Sequence, residues 1–241
     1  MRFLLTFLMI AVVASAQQSS PQDSTALLAT AHKLIVVTST GWNEVNGQMT
    51  RYERHGKGWK KIAGPIAVVG GKNGMAWDDH FLARPQHTSD PIKHEGDGRS
   101  PAGVFGISHT FGFAPKITSG DFYLPLTPTT ECVDDVQSTH YNTIVDRMHT
   151  KDVDWNSSEK MRQIEGYRYG AVVAYNDPTT AGRGSCIFLH VWSAPGAGTA
   201  GCTAMPEADA QGLLRWLDEK TVLVQMPQAE YEQVKSQLGT P

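Results

Sequence analysis

A mainly β architecture with a few helices, arranged as a sandwich or barrel, is the fold class that the sequence predicts. Short runs rich in β-branched residues recur along the chain, glycines punctuate them, and segments with helical apolar periodicity are few. Residues 32–38 (HKLIVVT) read as the first strand. Residues 51–54 and 59–62 flank His55-Gly56-Lys57-Gly58, the pattern of a hairpin turn, and residues 66–69 form a further strand ending at Gly70-Gly71. Residues 171–175 read as a central strand and 221–226 (TVLVQM) as a closing one. Two helices are expected. One spans 157–164, with Ser157 or Ser158 as its N-cap and Glu159 and Lys160 in the first turn. The other spans 206–219, where Ala210, Leu213, Leu214 and Leu217 share one apolar face.

The first sixteen residues have a different character. Arg2, an apolar run from Phe3 to Val13 and then Ala14-Ser15-Ala16 have the form of a secretory signal with a small-x-small cleavage site. The run is short for a bilayer and no second spanning stretch follows, so the mature chain is expected to be exported and soluble, with no stable membrane insertion after cleavage. Its place is then the periplasm or cell envelope. Residues 17–31 are expected to be a flexible N-terminal segment. About 225 residues remain after cleavage, enough for one β-rich domain. A formal net charge of −3 with no long basic run excludes nucleic acid as the expected partner. Nine scattered histidines without HExxH, and cysteines without CxxC spacing, predict neither a metal nor another cofactor.

The chemistry concentrates in two neighbouring stretches. Ile187-Phe188-Leu189-His190-Val191-Trp192 is a strand presenting a histidine, and Thr199-Ala200-Gly201-Cys202-Thr203 is a loop presenting a cysteine. A thiol is a useful nucleophile only as thiolate, and imidazole is the usual group that takes its proton near neutrality. Gly196, Gly198 and Gly201 permit close backbone approach, and the amides of Gly201 and Thr203 are candidates for holding a developing oxyanion. A helix beginning near Pro206 would put Cys202 just before a helix N-terminus, where the dipole favours a thiolate. Strand alternation places Cys186, Phe188 and His190 on one face, with Ile187, Leu189 and Val191 on the other. The three cysteines, Cys132, Cys186 and Cys202, suggest one bridge and one free thiol in an exported protein; if Cys202 is the nucleophile, Cys132 and Cys186 pair. Three reduced, buried thiols are the other reading. A bridge would bring Asp134 and Asp135 near the histidine strand, while solvated loop positions are their plainer reading. Tyr123, Trp155, Tyr167 and Trp192 are candidates to line a peptide groove, or else core.

The segment Glu95-Gly96-Asp97-Gly98-Arg99-Ser100-Pro101-Ala102-Gly103-Val104-Phe105, then His190, then Gly201-Cys202, resembles the L,D-transpeptidase catalytic domain, also called the YkuD-like domain. The resemblance covers approximately residues 33–227, giving a domain over 32–227 and a C-terminal tail over 228–241. It implies a β-rich fold, Cys202 as nucleophile, His190 as general base and peptidoglycan stem peptides as substrate and partner. Asp97, Arg99 and Ser100 belong to the upstream loop, with a role more structural than catalytic, and Trp192 is a further substrate-loop candidate. The family's cysteine loop commonly has a histidine where this chain has Ala200, and an arginine or asparagine where it has Ala204. Three functions follow: an acyl-transferring L,D-transpeptidase, a murein peptidase or amidase using the same dyad with water as acceptor, and a non-catalytic wall-binding module. A reactive, low-pKa Cys202 is the mark of the enzymes, and an inert, buried one the mark of the module.

Overall fold

The computed structural model describes residues 24–85, 89–117 and 122–241; the expected signal segment 1–16 and the first part of the 17–31 segment lie outside the described residues. The chain begins with helix α1 (Ser24–Thr30), whose Leu28 is buried, so this part of the expected flexible segment is ordered on the core. Strand β1 (Lys33–Ser39) is the β-branched run, and it lies antiparallel to β2 (Asn46–His55), with Lys33 opposite Glu53. The hairpin closes through His55–Gly58 into β3 (Gly58–Val69), a single bulged strand that contains both runs expected to be separate. β4 (Met75–Trp77) and the thirteen-residue β5 (Ser100–Gly112) follow, the latter starting inside the upstream motif.

A short β6 (Tyr123–Pro125) pairs with β5. β7 (Thr130–Val133), β8 (Ile144–Asp146) and β9 (Ser158–Lys160) then form a separate antiparallel sheet in the order β8-β7-β9. The helix expected over 157–164 is therefore not formed: Ser158–Lys160 pair with β7, and only a 3-10 turn, Met161–Gln163, follows. A strand partner satisfies those backbone groups in place of the N-cap that the serines offered. A second 3-10 turn, Glu165–Arg168, leads into β10 (Tyr169–Val173), and β11 (Phe188–Val191) and β12 (Thr203–Met205) precede helix α2 (Glu207–Trp216). Strand β13 (Thr221–Pro227) and helix α3 (Gln228–Leu238) end the chain. The expected C-terminal tail is thus mostly helix, and it buries Tyr231, Val234 and Leu238.

Among the described residues the main sheet has ten strands, running β10-β11-β12-β3-β2-β1-β13-β5-β4 with β6 beside β5. Because β10 pairs with β5 as well as with β11, the sheet closes on itself as a barrel. β1 and β13 lie parallel at its centre, Leu34 beside Val222 and Val36 beside Val224, and both are buried on nearly every position. α2 packs its Ala210, Leu213 and Leu217 face into the same core, as the apolar spacing predicts.

Candidate active site

Strand β11 divides its side chains as alternation requires. Ile187, Leu189 and Val191 enter the main core, while Cys186 and Phe188 enter a smaller cluster with Phe111, Met161, Tyr167 and Cys202. β12 runs parallel to β11 with Ala204 beside His190, so the register carries Cys202 back along the histidine strand. Cys202 Sγ accepts the Phe188 amide at 3.3 Å and its thiol donates to the Cys186 carbonyl at 3.4 Å. His190 and Cys202 line one cavity of about 480 Å³, with Trp192 and Tyr167 also in its wall. Trp155 and Tyr123 do not join it: Trp155 donates its indole N–H to Glu131, and Tyr123 its hydroxyl to the Ala114 carbonyl.

The tautomer of His190 follows from its partner. Nδ1 lies 2.8 Å from the Val191 carbonyl, which only accepts, so Nδ1 carries the hydrogen and Nε2 presents a lone pair. Gly166 makes room for this contact, since a Cβ there would stand 2.6 Å from that same carbonyl oxygen. Burial pulls the imidazole down to about 4, against the raising effect of the Val191 contact. Burial pushes the Cys202 thiol well above its ordinary range, and the charge of Glu159 adds to it, while the Phe188 amide and the Tyr167 hydroxyl act in the opposite sense. The resting pair is therefore a neutral thiol and a neutral imidazole. A preformed low-pKa thiolate, the expected mark of the enzyme, is not the resting state, and the reason is desolvation of a thiol only 6% exposed.

The helix dipole does not supply the missing stabilisation. β12 separates Cys202 from α2, so the thiol does not sit directly before the helix, and a dipole effect fades within about one turn. The Gly201 amide, one of the two expected oxyanion donors, is engaged by Thr199 Oγ1 at 3.1 Å. Thr203 is buried in β12 with its hydroxyl donated to Gln225 Oε1 at 2.6 Å. Gly198 is required for close approach, because a Cβ would lie 2.6 Å from Lys72 Cα.

The upstream loop is built around the cysteine loop. Ser100 Oγ donates to the Cys202 carbonyl at 3.0 Å and accepts the Gly71 amide at 2.9 Å. Arg99 fastens the loop to the Trp42 and Met75 carbonyls, and Asp97 binds Lys93 at 2.7 Å and the amides of His94 and Arg99. Ser100 and Arg99 hold backbone groups in place, and Asp97 holds two backbone amides and Lys93. Neither Asp97 nor Arg99 lines the larger cavity.

Facing this wall is the three-stranded sheet, tied to the histidine strand by a disulfide between Cys132 and Cys186, with Cys202 free and buried. The bridge does bring Asp134 to the site, where it lines a second cavity of about 230 Å³ that shares Glu159, Ala200 and Cys202 with the first. Asp135 instead caps the amides of Gln137 and Asn156. Sequence reasoning missed Glu159 as a site residue, reading it only as a first-turn residue of an expected helix. It is held in the site wall, and its carboxylate accepts the Tyr167 hydroxyl at 2.6 Å. No local signal marked it, because the register that sets Glu159 opposite Cys132 across β7 and β9 joins segments distant in sequence. Elsewhere among the described residues, Asp78, Asp79 and His80 bring three possible metal ligands together, and Arg183 is paired with both aspartates.

Comparison with known proteins adds a family and two structures. The family model described as YkuD, L,D-transpeptidase catalytic domain, matches residues 42–226. A search of curated proteins found no match. Among solved structures, the chain is similar to the helical cell shape determining protein Pgp2 from Campylobacter jejuni, at 14% identity and a TM-score of 0.38, over 91% of this chain and 62% of that one. A point mutant of Pgp2 gives 13% identity and the same score of 0.38, over 90% of this chain and 59% of that one. The chain thus spans about three fifths of the length of Pgp2.

Proposed function

The chain belongs to the L,D-transpeptidase catalytic domain family, and from that premise we propose that it is an exported cysteine L,D-transpeptidase acting on peptidoglycan stem peptides. Cys202 is the nucleophile and His190 the general base. The observation that carries this reading is that Cys202 and His190 line one cavity while Val191 holds His190 Nδ1, which leaves Nε2 to take the proton.

Both groups are neutral at rest, so the S–H proton moves to Nε2 as Sγ attacks the carbonyl that follows an L-centre in the donor stem. The Phe188 amide, already directed at Sγ, steadies the developing thiolate. Collapse of the tetrahedral intermediate breaks the peptide bond, and the imidazolium returns its proton to the departing amine. An amine of a second stem then attacks the thioester, loses its proton to His190 and releases the thiol. With Gly201 engaged by Thr199, oxyanion stabilisation falls to the backbone at Cys202 and Thr203. Water in place of the second amine gives the peptidase, which uses the same residues.

Burial of the thiol, which also raises its pKa, and the alanines at 200 and 204 stand on the side of a wall-binding module without catalysis. Two measurements separate the readings. Incubation of the mature protein with muropeptides, read by mass spectrometry, is expected to give cross-linked products with loss of the donor's terminal residue. Incubation with a carbapenem-type β-lactam is expected to give a covalent adduct on Cys202. Folded protein with a titratable thiol that yields neither product nor adduct overturns the enzyme in favour of the module.

A further inference from the structure

Resting on the Cys202 and His190 assignment above, we propose that Glu159 is a positioning residue for the Cys202 thiol, acting through Tyr167: the protonation of its carboxyl decides whether the Tyr167 hydroxyl points away from sulfur or toward it. Tyr167 is 4% exposed, and its ring meets His190 edge-on at 5.1 Å and Phe188 at 5.4 Å, so the phenol is clamped beside both reacting groups. Its hydroxyl donates to the Glu159 carboxylate at 2.6 Å, and it shares a buried cluster and a cavity wall with Cys202. Glu159 and Cys202 are in turn shared by both cavities of the site.

A phenol has one proton to donate. When Glu159 is ionised, that proton goes to Oε2, and only an oxygen lone pair faces sulfur. When Glu159 is protonated, the carboxyl O–H donates to the Tyr167 oxygen, and the phenol O–H turns to Sγ, where it stabilises a thiolate through a charge-assisted hydrogen bond. Ionised Glu159 also opposes the thiolate by its charge. The groups facing this carboxyl are Tyr167 from the 3-10 turn, Asp134 beyond β7, Glu95 from the upstream loop and Cys202, while Lys72 and Lys93 line the smaller cavity and Lys93 is paired with Asp97. Burial, reinforced by Asp134 and Glu95 and opposed by the Tyr167 hydrogen bond, brings Glu159 up to about 7. Protonation below that value thus supports the thiolate, and ionisation above it restrains the thiolate.

The test is the pH profile of Cys202 alkylation by iodoacetamide on the full folded chain, which reads thiolate formation without requiring turnover. Wild type is expected to depart from a single titration, with an inflection near pH 7. Glu159→Gln, whose amide donates to the Tyr167 oxygen at every pH, is expected to lose that inflection and to react about tenfold faster above pH 8, the change given by one unit of thiol pKa. Tyr167→Phe is expected to slow alkylation below pH 7, where the wild-type phenol donates to sulfur, and to remove most of the Glu159→Gln gain when the two are combined. If Glu159→Gln does not fold, the weakening of the inflection in Tyr167→Phe, where only the charge of Glu159 still acts on the thiol, carries the test. A Glu159→Gln profile equal to wild type, or its full gain retained in the Tyr167→Phe background, overturns the proposal. Failure of the catalytic assignment reads differently, as muropeptide turnover that survives Cys202→Ala.

Discussion

The two walls that meet at Cys202 are held by different forces. The wall carrying His190 is part of the barrel: β11 pairs on both sides, with β10 and β12, and its inward residues Leu189 and Val191 join the main core. The opposite wall is the β8-β7-β9 sheet, whose strands are three or four residues long and whose interior centres on a charge. Glu131, 3% exposed, accepts Lys160 at 2.5 Å, Ser158 at 2.7 Å and the Trp155 indole at 2.9 Å, with Arg147 at 3.3 Å. A disulfide fastens this sheet to Cys186. Apolar burial and ladder hydrogen bonds respond weakly to pH and redox state, whereas a buried carboxylate and a disulfide respond to both. Apart from His190 itself, one wall is built to be indifferent to conditions and the other is not.

The largest effects are expected at the junction itself. Cys202→Ala should abolish muropeptide conversion while leaving the thermal transition in place, because the thiol is the proposed reacting atom and neighbouring backbone bonds shape the loop. His190→Ala should lower kcat/KM by about 10² to 10⁴ and slow Cys202 alkylation. Unchanged alkylation would remove His190 from the proton transfer. In the wild-type protein the acid limb of kcat/KM that reports the proposed base should lie nearer the His190 value of about 4 than the ordinary 6.5. The sign follows from the depressed value: the ring is neutral, and competent as a base, down to that pH. The same depression costs stability as pH falls through the interval from 6.5 to 4, where the unfolded chain takes up the proton first.

Next in size is the disulfide. Its reduction, or the pair Cys132→Ser and Cys186→Ser, should cost about 2–4 kcal/mol and speed amide exchange in β7 to β9 while β1 and β13 keep their protection. Equal loss of protection in both sheets would erase the distinction between the walls. Glu131→Gln probes the same wall by pH. Desolvation raises that carboxyl, but the bonds from Lys160, Ser158 and Trp155 outweigh it and hold it at about 2. Its stabilising contribution is therefore complete above the unfolded value of about 4.3 and lost as pH falls toward 2. The difference in melting temperature between wild type and variant should accordingly narrow over that interval; a gap independent of pH would show that the charge contributes nothing. The smallest effect is expected at Ser100→Ala, about 1–2 kcal/mol from losing the bonds to the Cys202 carbonyl and the Gly71 amide. Thermal denaturation measures that loss, and a larger proportional loss in kcat than in stability would show that Ser100 also positions the thiol.

By itself the sequence determined the parts whose information is local. The β-branched run of β1, the glycine-marked β2–β3 hairpin, the alternation along β11 and the apolar face of α2 are all read from neighbours a few residues apart, because strand and helix periods are short. The upstream motif and the histidine followed by glycine-cysteine were likewise legible as residue types at a spacing, and the odd cysteine count, with Cys202 set aside as the nucleophile, pointed to the pair that forms the bridge. Tertiary structure decided the rest. Ser157, Ser158 and Glu159 carry the local signals of a helix start, yet a ladder with Cys132, distant in sequence, makes residues 158–160 a strand and turns Glu159 into the site. The tail at 228–241 became a helix because the core offered Tyr231, Val234 and Leu238 a surface to cover. The protonation of the thiol and imidazole was decided there too, since desolvation depends on what surrounds a group in space and not on which residues precede it.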